Sequence, residues 1–375
     1  MTGSVYSSLV HRLHDYEGET YPFHIGDTWM EPAVGTRMED LTVEQFPGMH
    51  RYAPVQGRRD LLEAIADRTL ARTGVPTEPR DILVTAGATG ALGAIIGAIT
   101  EPGDEVLLLA PYWPLISGIV RSSHATAVDV PILGAADSPE TVIDIVKSHR
   151  TDRTVAVYWN SPNNPTGRVM PRSWIEALVE WAVAENLWIL PDEVYEDYVF
   201  EGEHAYGRPL APDRTFSVHS CSKAFGMAGN RCGYAIGPPG LMANVRKVST
   251  HTFYSTPTAS QIAARRALAG PGDAWVADAR AKYAEVGRRA AARLGLEAPE
   301  GSTFLWLDIA EQLAQYTASS DQLMTFLSAC VEHGILLAPG LSFGPYPTHI
   351  RLCYTAVEPE VTDRGIDALA RLLGR

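Results

Sequence analysis

The feature that most constrains the fold is a regular alternation of short apolar segments with helical patterns between residues 81 and 197. Each apolar segment is almost continuously hydrophobic, which is typical of strands that are buried on both faces of a parallel sheet. Because strands that alternate with helices connect by crossovers, the sequence predicts an α/β fold with a mostly parallel, doubly wound sheet. The predicted strands cover residues 81–87, 104–110, 126–132, 154–160 and 187–197, and the predicted helices cover 89–100, 138–149 and 172–186.

Two amphipathic patterns precede the predicted sheet, at residues 5–16 and 58–73. Apolar residues recur in both at the spacing that aligns side chains on one face of a helix. Gly74 follows the second pattern and is a typical helix stop. The residues predicted to point inward are Val5, Leu9 and Leu13 in the first helix and Leu61, Leu62, Ile65 and Leu70 in the second.

The pattern changes after Gly295, where strands and helices indicate a smaller α+β domain. We expect residues 41–270 to form a large domain and residues 1–40 with 271–375 to form the small one. The Gly-Pro-Gly sequence at 270–272 stands at this boundary and would permit a hinge. In the small domain the predicted strands are 302–309 and 349–356, and the predicted helices are 320–333 and 359–373.

The chain is acidic, with 31 Lys and Arg against 44 Asp and Glu and a formal net charge of −13. This charge argues against nucleic acid or an anionic membrane as a general partner. The N-terminal residues contain no apolar core typical of a signal peptide, and no apolar run reaches the length of a membrane span. Because the four cysteines form no CxxC pair and no cluster with histidine, we expect no metal site and a reduced, cytoplasmic setting.

One lysine, Lys223, lies among small residues between Ser217 and Pro239, in the stretch SVHSCSKAFGMAGNRCGYAIGPP. Small residues let the backbone and a ligand approach such a lysine closely. Ser220 lies three residues before it and Arg231 eight residues after it, and a hydroxyl with a guanidinium suits a phosphorylated ligand. We therefore predict that Lys223 forms a Schiff base with a phosphate-bearing aldehyde, pyridoxal phosphate.

Polar, glycine-rich or aromatic residues follow several predicted strands at their carboxyl ends, where open α/β sheets bind ligands. Gly87-Ala88-Thr89 forms a strand-to-helix turn, whose free N–H groups can bind phosphate. Trp113 either stacks on a flat cofactor or packs under a helix. Residues 160–167, NSPNNPTG, are constrained by two prolines. Asp192 and Tyr195 follow an apolar run, and a buried carboxylate there needs a charged or hydrogen-bonded partner.

Together these motifs resemble those of the pyridoxal-phosphate-dependent aminotransferases of fold type I, the aspartate-aminotransferase-like class I/II group. The resemblance covers nearly the whole chain. It rests on NSPNNPTG, the Asp192 and Tyr195 pair, the spacing of Ser220, Lys223 and Arg231, and the strand HIRLCYTA with Arg351. The family implies that the large domain carries the doubly wound sheet and the cofactor site.

The resemblance implies a role for each matching position. Lys223, Asp192 and Tyr195 are the implied catalytic residues. Asp192 would keep the pyridine nitrogen protonated, because a neighbouring carboxylate favours the charged form of the ring. The predicted cofactor-binding residues are Tyr52, Ala88, Thr89, Trp113, Asn164, Asp192, Tyr195, Ser220, Lys223 and Arg231, and the predicted substrate-binding residues are Gly26, Trp29, Asn164 and Arg351.

Two of these positions carry further implications. Arg351 resembles the bidentate clamp on the substrate α-carboxylate, helped by the backbone near Gly26. Tyr52 resembles a tyrosine that reaches the phosphate of a neighbouring active site, which implies a homodimer. Each role has a structural alternative: Asp192 as a strand-end cap, Asn164 as a turn residue and Arg351 as an interdomain ion pair.

The resemblance implies an aminotransferase that moves the amino group of an L-amino acid to a 2-oxo acid through the Schiff base of Lys223. Its partners would be these small molecules, without nucleic acid or membrane. The same residues serve β- or γ-elimination and ring closure after loss of the α-proton, so a lyase or cyclase of this fold is the alternative. A non-catalytic ligand sensor is a further alternative, against which the acidic charge and the lack of a helix-turn-helix extension argue.

Overall fold

The computed structural model describes residues 7–317 and 319–375. The first helix is α1 (Ser7–His14), in which Leu9 and Leu13 are buried as predicted, while Val5 lies outside the described residues. The other helices are α2 (Arg59–Thr73), α3 (Gly87–Ile99), α4 (Leu115–Ser122), α5 (Pro139–His149), α6 (Arg172–Ala184), α7 (Cys221–Ala224), α8 (Pro239–Thr252), α9 (Thr258–Ala269), α10 (Gly272–Arg293), α11 (Ala310–Leu313), α12 (Gln322–Val331) and α13 (Pro359–Leu372). The strands are β1 (Ile82–Thr85), β2 (Glu105–Ala110), β3 (Thr126–Pro131), β4 (Thr154–Asn160), β5 (Trp188–Asp192), β6 (Ser217–Ser220), β7 (Gly233–Ile236), β8 (Phe304–Asp308), β9 (Ala338–Pro339) and β10 (His349–Cys353).

The large sheet has the order β1-β7-β6-β5-β4-β2-β3. Its pairs from β3 to β6 are parallel, whereas β7 is antiparallel to both β1 and β6. Successive residues of β2 show why both faces are buried: Val106 and Leu108 pack with α3, α4 and α8, while Leu107 and Leu109 pack with α5 and α6. The predicted mostly parallel sheet with helices on both faces is therefore confirmed.

The small sheet is antiparallel, in the order β8-β10-β9. Apolar residues of α10, α12 and α13 pack with it in one core. The N-terminal segment joins this core, because the N–H of Tyr21 donates to the carbonyl of Gly334 at 2.7 Å and Phe23 is fully buried. A smaller α+β part is thus confirmed, and its exact bounds at residues 1–40 and 271–375 stay a prediction.

Two local predictions differ from the structure. Leu70 was expected to point inward, but it is 48% exposed, and Thr69 is buried instead. The reason is helical geometry: Leu61, Leu62, Ile65 and position 69 share one face, and the next residue is turned about 100° away. The predicted strand over 187–197 ends at Asp192, where the chain leaves the sheet in a turn.

The described residues contain no helix that is long and apolar enough to cross a bilayer. In the same ranges, no group of three or more His, Cys, Asp and Glu side chains could hold a metal ion. The four cysteines are buried and free of disulfides.

Candidate active site

A cavity of about 650 Å³ lies at the carboxyl ends of the parallel strands. The last residues of three neighbouring strands line it: Asn160 of β4, Asp192 of β5 and Ser220 of β6. They lie together because the ends of parallel strands meet at one edge of a sheet. Nine of the ten predicted cofactor-binding residues line this cavity: Ala88, Thr89, Trp113, Asn164, Asp192, Tyr195, Ser220, Lys223 and Arg231.

One end of the cavity is a cradle built from the first turn of α3 and Arg231. Arg231 has a left-handed backbone with φ of +50°, which turns its guanidinium over Gly87. A Cβ on Gly87 would lie 2.5 Å from the Nη2 atom of Arg231, and one on Gly233 would lie 2.8 Å from the backbone N of Ala88. The glycines thus permit a close approach of a cation to the first N–H groups of a helix, which have no partner within that helix, and this suits a phosphate.

Asp192 lies at the floor of the cavity and is 2% exposed. The Tyr158 hydroxyl donates to its Oδ2 atom at 2.8 Å, and the Val194 N–H donates to Oδ1 at 3.4 Å. Burial raises the pKa of Asp192 to about 6, although these two neutral donors favour its charged form. A buried carboxylate held by neutral donors is a suitable partner for a cation on a ligand.

Lys223 faces the same cavity from the short helix α7. Burial lowers the pKa of its ammonium group, so the neutral amine that attacks a carbonyl is more accessible at neutral pH. The Nζ atom donates to the carbonyl oxygen of Gly26. Ser220 caps α7, where its hydroxyl accepts from the Ser222 N–H at 3.1 Å. Gly26 and Lys223 also line a smaller adjoining cavity of about 250 Å³.

Arg351 reaches the site from β10 and is 5% exposed. It donates to the amide oxygen of Asn164 at 3.1 Å and to the carbonyl of His24. Its guanidinium carbon lies 4.5 Å from the ring centroid of Phe304 and 5.0 Å from that of Phe343. The structure thus brings Asn164 and Arg351 together, and the two rings hold the guanidinium plane in place.

Tyr195 lies beside this group, with its ring edge-on to Phe304 at 5.7 Å between centroids. Burial raises the pKa of its hydroxyl, which therefore remains a neutral hydrogen-bond donor at physiological pH. Tyr195 lines both cavities, so its side chain adjoins the space that a ligand would fill.

Three predicted site residues line neither cavity: Arg351, which contacts the lining residue Asn164, and Trp29 and Tyr52, which lie elsewhere. Trp29 packs edge-on against Tyr283, with 5.3 Å between ring centroids, and is not among the residues that line either cavity. Tyr52 is 87% exposed and packs edge-on against Tyr254. The structure also adds residues that the sequence did not single out: Val194, Ser222 and Ala228 line the larger cavity. Tyr158 lies outside the cavity but donates to Asp192. Its only sequence signal is its position two residues before Asn160 in an otherwise apolar strand.

Comparison with known proteins places this chain in one family. The profile of aminotransferase class I and II matches residues 21–369. The aspartate/prephenate aminotransferase of Thermus thermophilus is 33% identical over 344 residues, covering 88% of this chain and 84% of that protein. The arginine–pyruvate transaminase AruH of Pseudomonas aeruginosa is 34% identical over 336 residues, covering 86% of this chain and 81% of that protein.

A solved structure gives the same result. The N-succinyldiaminopimelate aminotransferase from Mycobacterium tuberculosis has a TM-score of 0.88 at 28% identity, covering 99% of this chain and 97% of that chain. The fold is therefore that of a fold type I aminotransferase. The chain belongs to the class I and II aminotransferase family and is an enzyme that transfers amino groups.

Proposed function

We propose that the chain binds pyridoxal 5′-phosphate in the larger cavity and moves the amino group of an L-amino acid to a 2-oxo acid. The observation that carries this proposal is the convergence of three groups on one cavity: the Lys223 amine, the buried carboxylate of Asp192 and the cradle under Arg231. An amine, an anion and an anion-binding cradle match the aldehyde, the pyridine nitrogen and the phosphate of this cofactor.

The cradle under Arg231 is the first feature of the cavity that fits the cofactor, through its phosphate. Its charge comes from the guanidinium of Arg231, and its width depends on Gly87, where even one added carbon would collide with that guanidinium. A phosphate would be held there by Ala88, Thr89, Ser220 and Arg231 through backbone and side-chain donors.

The carboxylate of Asp192 is the second feature that fits the cofactor, through its pyridine nitrogen. Asp192 is buried with a raised pKa of about 6, so a protonated pyridine nitrogen would supply the positive charge that the described hydrogen bonds do not. Asn164 and Tyr195 would donate to the phenolic oxygen, and Trp113 would cover a ring face. When bound, the cofactor supplies an electron sink that makes the α-proton of an amino acid acidic.

The chain's own residues then perform two tasks. Arg351 binds the α-carboxylate and fixes the orientation of the Cα–H bond, which lowers the barrier by positioning. Lys223, once its amine is released, removes the proton from Cα and returns a proton during formation of the oxo acid. Its lowered pKa supports this role, because a base works best when it is partly neutral at the working pH.

We also propose that the working enzyme is a homodimer in which Tyr52 reaches the neighbouring active site. Tyr52 and Tyr254 form an exposed aromatic pair, with 5.3 Å between ring centroids. Val34 and Val43, which precede Tyr52 in the chain, are also exposed. Exposed apolar side chains of this kind would be stabilised by burial against a second copy.

The decisive experiment is chemical fixation of the cofactor. Purified protein treated with borohydride should carry the reduced cofactor on the peptide that contains Lys223, and Lys223→Ala should carry none. Lys247→Ala is the matched control, because the Lys247 ammonium lies on the surface and donates to Asn244 at 3.3 Å. An unmodified Lys223 peptide from cofactor-saturated protein would contradict the proposal.

Product analysis then separates transamination from its alternative. Incubation with a panel of L-amino acids and 2-oxo acids should yield the exchanged pair without ammonia. Release of ammonia or of a cyclised product would instead support a lyase or cyclase, which starts from the same proton removal by Lys223.

A further inference from the structure

Tyr158 stands directly behind the cavity floor. It lies in β4, is fully buried, and is one of the largest side chains in the described residues with no exposed surface. Its hydroxyl donates to Oδ2 of Asp192 at 2.8 Å. It does not line the cavity, so it would touch the carboxylate but not a ligand.

The geometry of this contact is fixed by the sheet. Strands β4 and β5 pair in parallel, with Tyr158 opposite Leu190 and Asn160 opposite Asp192. The amide of Asn160 donates to the backbone carbonyl of Asp192 at 2.8 Å. Because the main chains of both partners are held by the ladder, the tyrosine hydroxyl can set the orientation of the carboxylate without moving itself.

The two oxygens of Asp192 are therefore unequal. Oδ2 accepts from the Tyr158 hydroxyl at 2.8 Å, whereas Oδ1 accepts the longer contact of 3.4 Å from the Val194 N–H. We propose that Tyr158 is a positioning residue that fixes the Asp192 carboxylate, keeps it ionised, and leaves Oδ1 to bind the pyridine nitrogen of the cofactor. This inference rests on the proposed function, and it assigns a role to a residue that would not touch the cofactor.

The charge balance supports this role. Burial raises the pKa of Asp192, and the hydrogen bond from Tyr158 acts against that rise. Burial also raises the pKa of Tyr158 well above its ordinary value, so its hydroxyl stays a donor over the working pH range. Loss of the hydroxyl would raise the pKa of Asp192 further, and a larger fraction of the apoenzyme would carry a neutral carboxyl below that pKa.

Other titratable groups also act on Asp192. Glu193, on the same segment, raises its pKa, and His219 of β6 lowers it. Tyr195 faces it from the same turn, and Lys223 and Arg231 face it across the cavity. None of these groups is removed by a change at Tyr158, so a shift in the Tyr158 variant reports the hydroxyl alone.

The test measures cofactor affinity of the apoenzyme, by equilibrium dialysis, across a range of pH. Tyr158→Phe removes the hydroxyl. Tyr354→Phe is the matched control, because Tyr354 is also fully buried and donates to a backbone carbonyl, that of Ser302, at 2.9 Å. Two ligands are compared: pyridoxal 5′-phosphate and its analogue in which the ring nitrogen is replaced by carbon.

The expected result is selective. Tyr158→Phe should bind the natural cofactor about 5-fold more weakly near pH 6, because a rise of about one unit in the pKa of Asp192, from about 6, lowers its ionised fraction from about a half to about a tenth. The difference should shrink towards pH 9, where the carboxylate is ionised in both proteins. Affinity for the carbon analogue should be unchanged, and Tyr354→Phe should match the wild type with both ligands.

Three outcomes would contradict either the positioning role of Tyr158 or the proposed binding of the cofactor. Equal affinity of wild type and Tyr158→Phe for the natural cofactor overturns the positioning role, as does an equal loss with both ligands, which indicates general damage. Failure of the wild type to bind the natural cofactor instead contradicts the proposed function.

A second variant covers the case in which Tyr158→Phe does not fold. Site-specific 3-fluorotyrosine at position 158 keeps the shape and strengthens the donor, because its phenol is more acidic. The pH at which cofactor affinity declines should then move down relative to the wild type. An unchanged or higher midpoint overturns the inference.

Discussion

The substitution Arg351→Lys tests whether the planar donor fork of the guanidinium is needed in addition to its positive charge. The guanidinium is 5% exposed, donates to Asn164 at 3.1 Å, and lies within 5.0 Å of the ring centroids of Phe304 and Phe343. Lysine keeps the charge but offers one ammonium on a flexible stem. Two parallel hydrogen bonds to a carboxylate, and the stacking that holds their plane, are therefore lost.

The magnitude follows from the lost hydrogen bond. A hydrogen bond to a charged group contributes about 1.5–3 kcal/mol, and each 1.36 kcal/mol is about a tenfold change in rate. We expect kcat/KM for L-amino acids to fall about 10- to 100-fold in Arg351→Lys. The assay is the absorbance change of the bound cofactor in a single-turnover reaction with the amino acid.

Two controls make the result specific. Arg208→Lys replaces another buried arginine, whose guanidinium donates to the Thr77 hydroxyl at 3.1 Å. Arg208 does not line the larger cavity, so this substitution should leave kcat/KM unchanged. An amine that lacks the α-carboxylate should react equally slowly with wild type and Arg351→Lys. An equal loss with the amine and the amino acid, or wild-type kcat/KM in Arg351→Lys, would refute the carboxylate clamp.

The remaining predictions concern the cradle and the partner subunit. Gly87→Ala should weaken cofactor binding about 10-fold or more in equilibrium dialysis, because its φ is +70° and its Cβ would lie 2.5 Å from Arg231; Gly93→Ala, with nothing within 4 Å of its Cβ, should not. Tyr52→Ala mixed with Lys223→Ala should regain about a quarter of wild-type activity, since half of randomly mixed dimers contain one intact site. Absence of regained activity in mixed dimers would exclude a role across the interface.

Strand ends explain why most of the site could be predicted from the sequence. Asn164, Asp192 and Ser220 lie at or just after the ends of adjacent parallel strands, so strand pairing alone brings them to one edge. Lys223 was found through its small neighbours and the flanking hydroxyl and guanidinium. The family resemblance then supplied the roles that spacing could not.

Residues whose role depends on packing between distant segments could not be predicted. Tyr158 resembles any buried strand residue until the pairing of β4 with β5 places its hydroxyl on Asp192. Gly87 resembles any turn glycine until Arg231 is seen above it. Trp29 follows Gly26 closely in sequence, but its ring packs against Tyr283 of α10, which the sequence pattern does not reveal.

The segment after β5 carries buried ion pairs next to the residues that face the cavity. Asp192 and Tyr195 face the cavity, whereas Glu196 pairs with Arg72 at 3.0 Å and with His219 at 2.9 Å on the other side of the turn. Burial opposes ionisation of Glu196, but these cations lower its pKa well below the ordinary value. Buried ion pairs add little net stability when compared with apolar packing, so stability alone does not account for them here. These pairs connect Glu196, the neighbour of Tyr195, to α2 and β6, and we infer that this keeps the carboxylate and the phenol at fixed positions on the cavity wall.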